Sequence, residues 1–332
     1  MRGRRLLPRL DLLGTIRGYY AGEALVALLR LGVLEALAKP RNSRSLAKRA
    51  GVDHALLEPV LEFVRRTTDV VQRDRAGRYR LGQPSLPEIA FQLEKFIGAY
   101  GPSLRRLDAT LRGKQFAGAP DDKALARAFA AVAGIRSVEV DLLRGMGVRG
   151  LLDLGCGPGS LLLDLARDAP FRGIGVDSSA AMCRMARSRV RAAGVQARLR
   201  IRQGDATRLR RALAGFDLGA IDAVHGRSLL NALFAGGPAK AVAFLRELRA
   251  VLPGRTGLFV DYYGELNRPA GGPGRFRLGE LQDLAQLASG QGVPPPDRKA
   301  WNAIFRQAGC RLVSVLDVRV DDVRWFIRQI RL

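Results

Sequence analysis

Apolar and polar positions divide the chain into three stretches of different texture. In the first, Tyr19, Tyr20, Ala24, Leu25, Ala27, Leu28, Leu31 and Leu34 recur at helical spacing, which predicts a helix over residues 15–38. Pro40 and Asn42 stop it; Ser43 begins a short helix through Arg49, and Gly51 ends that one. Leu56, Leu57, Val60, Leu61 and Val64 mark a third helix. Val70-Val71, a polar turn at Asp74–Gly77, then Tyr79 and Leu81 predict a small β-hairpin. Three helices and a hairpin make a winged-helix pattern, so residues 1–84 are read as a mainly helical winged-helix domain.

Residues 85–147 are expected to be mostly helical, a linker and substrate-lid region. Leu86–Tyr100 and Ala124–Arg144 are its clearest helices, with a Gly- and Pro-containing break at Gly113–Asp122. From Gly150 the pattern alternates. Strands are predicted at Leu151–Leu154, Gly173–Val176, Leu199–Gln203, Ala220–Val224 and Gly257–Val260, and helices at Leu161–Ala166, Ala180–Ala193 and Lys240–Val251. Leu312–Val318 and Val323–Ile327 add two closing strands. Alternation of this kind predicts an α/β domain over 148–332, with a doubly wound, Rossmann-like sheet. The stretch Pro269–Pro296 is rich in Gly and Pro and reads as an insertion or lid after the fifth strand.

Composition narrows the class. With 332 residues, 47% of them hydrophobic, the chain is neither disordered, collagen-like nor a disulfide mini-protein. Cys156, Cys183 and Cys310 form no framework and no C-x-x-C pair, so a reduced, cytoplasmic setting is expected. No apolar run approaches the ~20 residues of a membrane span, and Met1 to Leu13 has no sustained apolar segment of a signal peptide. Two His and three scattered Cys give no metal-ligand spacing. The formal net charge is +24, and seven of the 55 basic residues are Lys. They are spread along the chain, which favours a dispersed basic surface, with an anionic small substrate or nucleic acid as alternative uses. Glu58 and Glu62 on the third helix argue against DNA, because acids facing phosphates are repelled.

Chemistry concentrates in Asp153-Leu154-Gly155-Cys156-Gly157-Pro158-Gly159, between a predicted strand and a helix. Glycines there let the backbone turn tightly and leave room for a ligand. Asp177 ends the next strand, 22 residues after Gly155. An acid so placed accepts hydrogen bonds from a ribose diol. Asp205 follows the third strand. Cys156 reads as a small filler and not as a nucleophile.

These residues resemble class I S-adenosylmethionine-dependent methyltransferases. With the winged helix, residues 15–332 look like the small-molecule O-methyltransferase family, which has a dimerisation domain ahead of a seven-stranded catalytic domain. The resemblance implies that Asp153, Gly155, Cys156, Gly157 and Gly159 cradle the methionyl end of S-adenosylmethionine, with S-adenosylhomocysteine as product. It implies Asp177 and Ser178 at the ribose, Asp205 and Ala206 at the adenine, and Met182 against its face. His225 and Arg227 are further candidate cofactor contacts, and Phe129, Ala130 and Val132 match positions lining the cavity. Tyr262 and Tyr263 would wall the acceptor, and Tyr20, with Arg17 and Tyr19, would reach a partner's pocket in a homodimer.

One departure matters. The resemblance puts a general-base His where this chain has Asn231, with orienting acids where it has Asp261 and Arg298. Asn cannot take a proton at neutral pH. The catalytic candidates are therefore Asn231, His225 and Asp261, and three outcomes stay open: an easily ionised acceptor, another base (His225, Tyr262 or Tyr263), or catalysis by positioning. The expected activity is methyl transfer to a small-molecule acceptor in natural-product tailoring. O-methylation leads, with N, C or S as alternatives. Non-methylating chemistry on the same cofactor and nucleic-acid methylation are the competing classes.

Overall fold

The computed structural model describes residues 10–113, 119–134, 138–167, 170–268, 277–320 and 323–332. The chain divides into two compact units, after Gly98. This division differs from the expected boundaries at 84 and 147: the first part of the helical middle region counts with the N-terminal unit.

In the N-terminal unit, helices span Leu12–Arg30, Val33–Ala36, Ser43–Ala50 and His54–Thr67. The single helix expected over 15–38 is two, because Gly32 takes a left-handed φ of 71° between them. Asn42 and Asp53 accept hydrogen bonds from Ser45 N and Ala55 N, and so cap the next two helices. The hairpin pairs β1 (Val71–Arg73) with β2 (Tyr79–Leu81). Leu28, Val33, Leu34, Leu46, Leu61, Val64 and Tyr79 close over one apolar core. Glu62 is occupied inside this unit. It accepts from Arg65, from the Tyr79 hydroxyl at 2.8 Å and from Arg73. The Arg65 hydrogen bond leads in holding its carboxyl down to about 2 against the cost of burial. The helix Leu86–Gln92 and a π-helical stretch, Leu93–Ala99, follow.

The second unit carries the alternation that the apolar pattern predicts. Its strands are β3 (Gly150–Leu154), β4 (Arg172–Asp177), β5 (Leu199–Gln203), β6 (Ala223–Arg227), β7 (Thr256–Tyr262), β8 (Arg311–Val320) and β9 (Val323–Arg331). They form one sheet in the order β5-β4-β3-β6-β7-β9-β8. The five strands from β5 to β7 are parallel; β9 and β8 are antiparallel. Strand faces alternate. Leu152, Leu154, Val176, Val224 and Phe259 pack against Trp301, Phe305 and Phe326. Leu151, Ala223, Leu258 and Val260 pack against Val140, Leu143 and Leu165.

Three sequence expectations shift. β6 begins three residues later than predicted, because the Asp222 side chain accepts from Arg149 N and Gly150 N and ties the strand's entry to β3. The helix expected over Ala124–Arg144 is two, Asp122–Ala131 and Val138–Gly145. The Pro269–Pro296 insertion contains a helix, Arg277–Ala288; residues 269–276 lie outside the described part.

Candidate cofactor and acceptor site

The glycine loop follows β3. Gly155, Gly157 and Gly159 have φ of +74°, +52° and +73°, a region L side chains rarely adopt. A Cβ on Gly157 would meet nothing within 4 Å, and one on Gly155 only Leu229 Cδ1 at 3.9 Å. Both therefore face open space. Gly159 does a different job: a Cβ there would press on Ala186 at 3.3 Å, so this glycine lets the helix Ala180–Ala192 come close. Gly155 N and Cys156 N both donate to the Val176 carbonyl, which pins the loop to β4.

Asp177, at the tip of β4, ties that loop from the side. It accepts from Gly157 N and from Ser179 N, each at 2.8 Å. Burial raises its pKa against these two bonds. Ser178 beside it is exposed, while Met182 is buried at the start of the next helix, its N–H capped by Ser179 Oγ. Asp205, past the tip of β5, is exposed and caps a 3-10 turn through Thr207 N, with Ala206 buried behind it. Cys156 is buried and its thiol is pushed well up, chiefly by burial, which removes it as a nucleophile.

Two residues on adjacent strands form a pair that the alternation alone does not reveal. Asp153 and His225 are register partners of β3 and β6. Asp153 Oδ1 lies 2.7 Å from His225 Nδ1, and both side chains are buried. His225 Nε2 is buried and has no partner. Arg227, two residues on, donates to Glu139 at 2.8 Å and lies over the Trp325 ring. Glu139 had no sequence signal, since it depends on where a helix break falls.

The segment after β6 carries Asn231. Ser228 has φ of +52°, and the 3-10 turn Leu230–Leu233 follows. Asn231 is buried; its N–H donates to Asp261 Oδ2 at 3.1 Å, and its Oδ1 has no partner. Asp261 also accepts from Tyr262 N and Leu230 N, but complete burial outweighs these bonds and pushes its carboxyl up to about 7. Asp261 thus holds the backbone of the turn that presents Asn231.

The other candidates are placed as follows. The Tyr262 hydroxyl donates to Asp283 Oδ1 at 2.8 Å, beside Gln286 Oε1, and the Tyr263 hydroxyl donates to Asp317 at 2.7 Å. Burial first, and these acids second, push both phenols far above their ordinary range, so neither takes a proton near neutral pH. Arg298 pairs with Asp317. Phe129 is half-buried on the helix Asp122–Ala131. Tyr20 is in the N-terminal unit, exposed and packed edge-on against Tyr19. Sequence reading missed Asp283 and Glu265, which join the Gly- and Pro-rich insertion to β7 and β9. Asp283 accepts from Glu265 N and Leu266 N, and Glu265 accepts from Arg324. Among the described residues, no cluster of three His, Cys, Asp or Glu could hold a metal ion, and no helix is long and apolar enough to cross a membrane.

The tips of β3, β4, β5 and β6 therefore offer two open glycine faces, two carboxylates, and two buried polar atoms lacking partners. Open space beside fixed polar groups at this edge of a parallel sheet suits a nucleoside ligand with a charged end. Residues 151–253 match the family model described as "Methyltransferase domain". No curated protein sequence matches the chain. Among solved structures it is similar to human N-acetylserotonin methyltransferase in complex with S-adenosylmethionine, at 15% identity over 96% of both chains and a TM-score of 0.69. It is similar to mitomycin 7-O-methyltransferase, at 18% identity over 96% of both chains and a TM-score of 0.67. It is also similar to an aminoriboflavin dimethyltransferase of Streptomyces davawensis, at 19% identity over 97% and 99% of the two chains and a TM-score of 0.58. Residues 151–253 are accordingly a methyltransferase domain, and the chain has the fold of these S-adenosylmethionine-dependent methyltransferase structures.

Proposed function

We propose that this methyltransferase uses S-adenosylmethionine to methylate a small-molecule acceptor of the natural-product kind, with oxygen the leading target, and that it works by positioning. The observation that carries the reading is Asn231. It is buried and its Oδ1 has no partner, and the resemblance puts a general base at this position. An amide oxygen accepts a hydrogen bond but not a proton. The acceptor that satisfies it brings a donor, a hydroxyl or an amine. Asp261 holds the turn through Asn231 N, so the amide is aimed before the acceptor arrives.

Asp153, Gly155, Gly157, Asp177 and Asp205 would hold the cofactor, which supplies a sulfonium methyl already activated for displacement. Orientation of such a reaction supplies on the order of 7–11 kcal/mol, enough to do without a strong base when the acceptor ionises easily. The raised phenols of Tyr262 and Tyr263 support the same conclusion, since neither substitutes for a base. The net charge of +24 suits an acidic acceptor. Three buried, unpaired cysteines fit a cytoplasmic setting.

The test is incubation with methyl-labelled cofactor and candidate phenols and amines, read by mass spectrometry. A product heavier by one methyl is expected. Consumption of the cofactor without methyl gain would give the protein to non-methylating chemistry. Asn231→Ala should lower turnover by less than the roughly 10²–10⁴ of a lost general base. A larger loss at unchanged acceptor affinity would overturn positioning.

We further propose a homodimer through the N-terminal unit. Leu12, Leu13, Ile16, Tyr19 and Tyr20 leave an exposed apolar stripe along the first helix, the kind of surface a second copy covers. Light scattering should give twice the chain mass, and Leu12→Glu with Ile16→Glu should halve it.

A further inference from the structure

We propose that Arg189 is a positioning residue: it couples the glycine loop to the helix Asp122–Ala131, so that a cofactor seated on the loop also stills that helix. This rests on the cofactor reading above and adds a residue that need not touch the ligand itself.

Packing holds the helix Asp122–Ala131 only weakly. Its buried residues are Ala124, Ala126 and Ala128, and it lies against the helix Ala180–Ala192. Among the described residues, none from this helix belongs to any of the apolar cores. An element with so little apolar contact opens locally at low cost unless polar ties hold it. Such ties stand at both ends. At the first, Asp122 Oδ2 accepts from Ala181 N at 3.3 Å, in the opening turn of the neighbouring helix. This end lies beside the proposed ribose acid: burial first, then the charges of Asp153 and Asp122, raise the pKa of Asp177. At the second, just past the helix, the Ala133 carbonyl accepts from Arg189 Nη2 and from Ser160 Oγ, each at 3.2 Å.

Arg189 makes that second tie part of the cofactor loop. Its Nη1 donates to the Pro158 carbonyl and to Ser160 Oγ, each at 2.8 Å. Pro158 stands between Gly157, whose N–H goes to Asp177, and Gly159, which meets Ala186 one turn before Arg189 on the same helix. One planar guanidinium thus holds the loop with one nitrogen and the exit of the helix Asp122–Ala131 with the other. Ser160, the first residue of the helix after the loop, closes the triangle. A ligand that fixes the open face of Gly157 fixes the next carbonyl, and through Arg189 the carbonyl of Ala133. Coupling between sites travels through contiguous contacts, and each link here is a direct hydrogen bond.

Hydrogen–deuterium exchange read by mass spectrometry, with and without S-adenosylhomocysteine, follows residues 153–160 and 122–133 separately. In wild type the ligand should slow exchange in both. Arg189→Met keeps the apolar stem and removes both donors. The ligand should still slow exchange over 153–160, while its effect over 122–133 should fall about tenfold, the loss of a hydrogen bond from a charged group. Ser160→Ala, which cuts one leg of the triangle, and Arg189→Lys, which reaches one carbonyl at a time, should lie between wild type and Arg189→Met. A role in stability alone would speed exchange over both segments and leave the effect of the ligand on 122–133 intact. That result in Arg189→Met, or in Ser160→Ala should Arg189→Met not fold or not bind, overturns the proposal. Wild type in which the ligand slows 153–160 alone also overturns it and leaves the cofactor reading standing. No effect on either segment, with no binding in calorimetry, overturns both.

Discussion

Asp177 shows how a side chain proposed to hold the ligand also holds the loop. Its carboxylate accepts from Gly157 N and Ser179 N, so it shapes the glycine turn before any ribose is present. Asp177→Ala should therefore abolish detectable cofactor binding in calorimetry and also lower stability by about 1–3 kcal/mol, the cost of unmade buried hydrogen bonds. Full affinity in that variant would remove Asp177 from the site. Asp261 gives a pH signature. Folding raises its pKa from 3.8 to about 7, so the folded state favours the protonated acid. Its contribution is fully present below about 3.8 and is lost as pH rises to about 7, on the order of 4 kcal/mol in all. Denaturant melts across that window should show wild type losing stability with rising pH and Asp261→Asn losing less. An identical slope in both would mean that Asp261 is ionised throughout. The glycines and Asp177 were legible in the sequence because they lie in one short run and one strand spacing. The Asp153–His225 bond was not: it links residues 72 positions apart and depends on the register of β3 with β6.

Among elements, the sheet was legible and its edges less so. Buried parallel strands announce themselves as short apolar runs, as β3, β4, β6 and β7 do, whereas β5 alternates Leu199 and Ile201 with arginines and the antiparallel β8 and β9 mix apolar and polar positions. β6 was read three residues early because Ala220 and Ile221 continue the apolar run, while the Asp222 side chain decides where pairing starts. The helix breaks at Gly32 and near Gly134 escaped for a related reason: apolar spacing runs across them, and one glycine alone does not forbid a helix. Gly150 marks the tightest point of the sheet. A Cβ there would collide with the Ala220 backbone carbonyl, which cannot swing aside as a side chain could. Gly150→Ala should cost roughly 3 kcal/mol or more in denaturant unfolding, and a loss under ~0.5 kcal/mol would show that β3 and the 219–222 turn can separate freely. The helix Arg277–Ala288 was hidden within a Gly- and Pro-rich stretch, yet it supplies Asp283 to the Tyr262 hydroxyl.

Over the whole molecule, much of the arginine excess has an internal use. Arg189 donates to the Pro158 and Ala133 carbonyls, Arg202 to Ala212, Arg144 to Asp164, Arg246 to Gln307 and Arg331 to Gly254. Guanidinium groups that close helix ends and loops explain part of a +24 charge with no polyanionic partner. The separate apolar cores carry a thermal consequence. One belongs wholly to residues before Gly98 and the others wholly to residues after Ala99. A scanning calorimeter should resolve two heat-absorption peaks, and S-adenosylhomocysteine should move only the peak of the unit that binds it, by mass action. A single peak shifting as one would mean that the two cores melt together, and the N-terminal module would then report on every ligand its neighbour takes up.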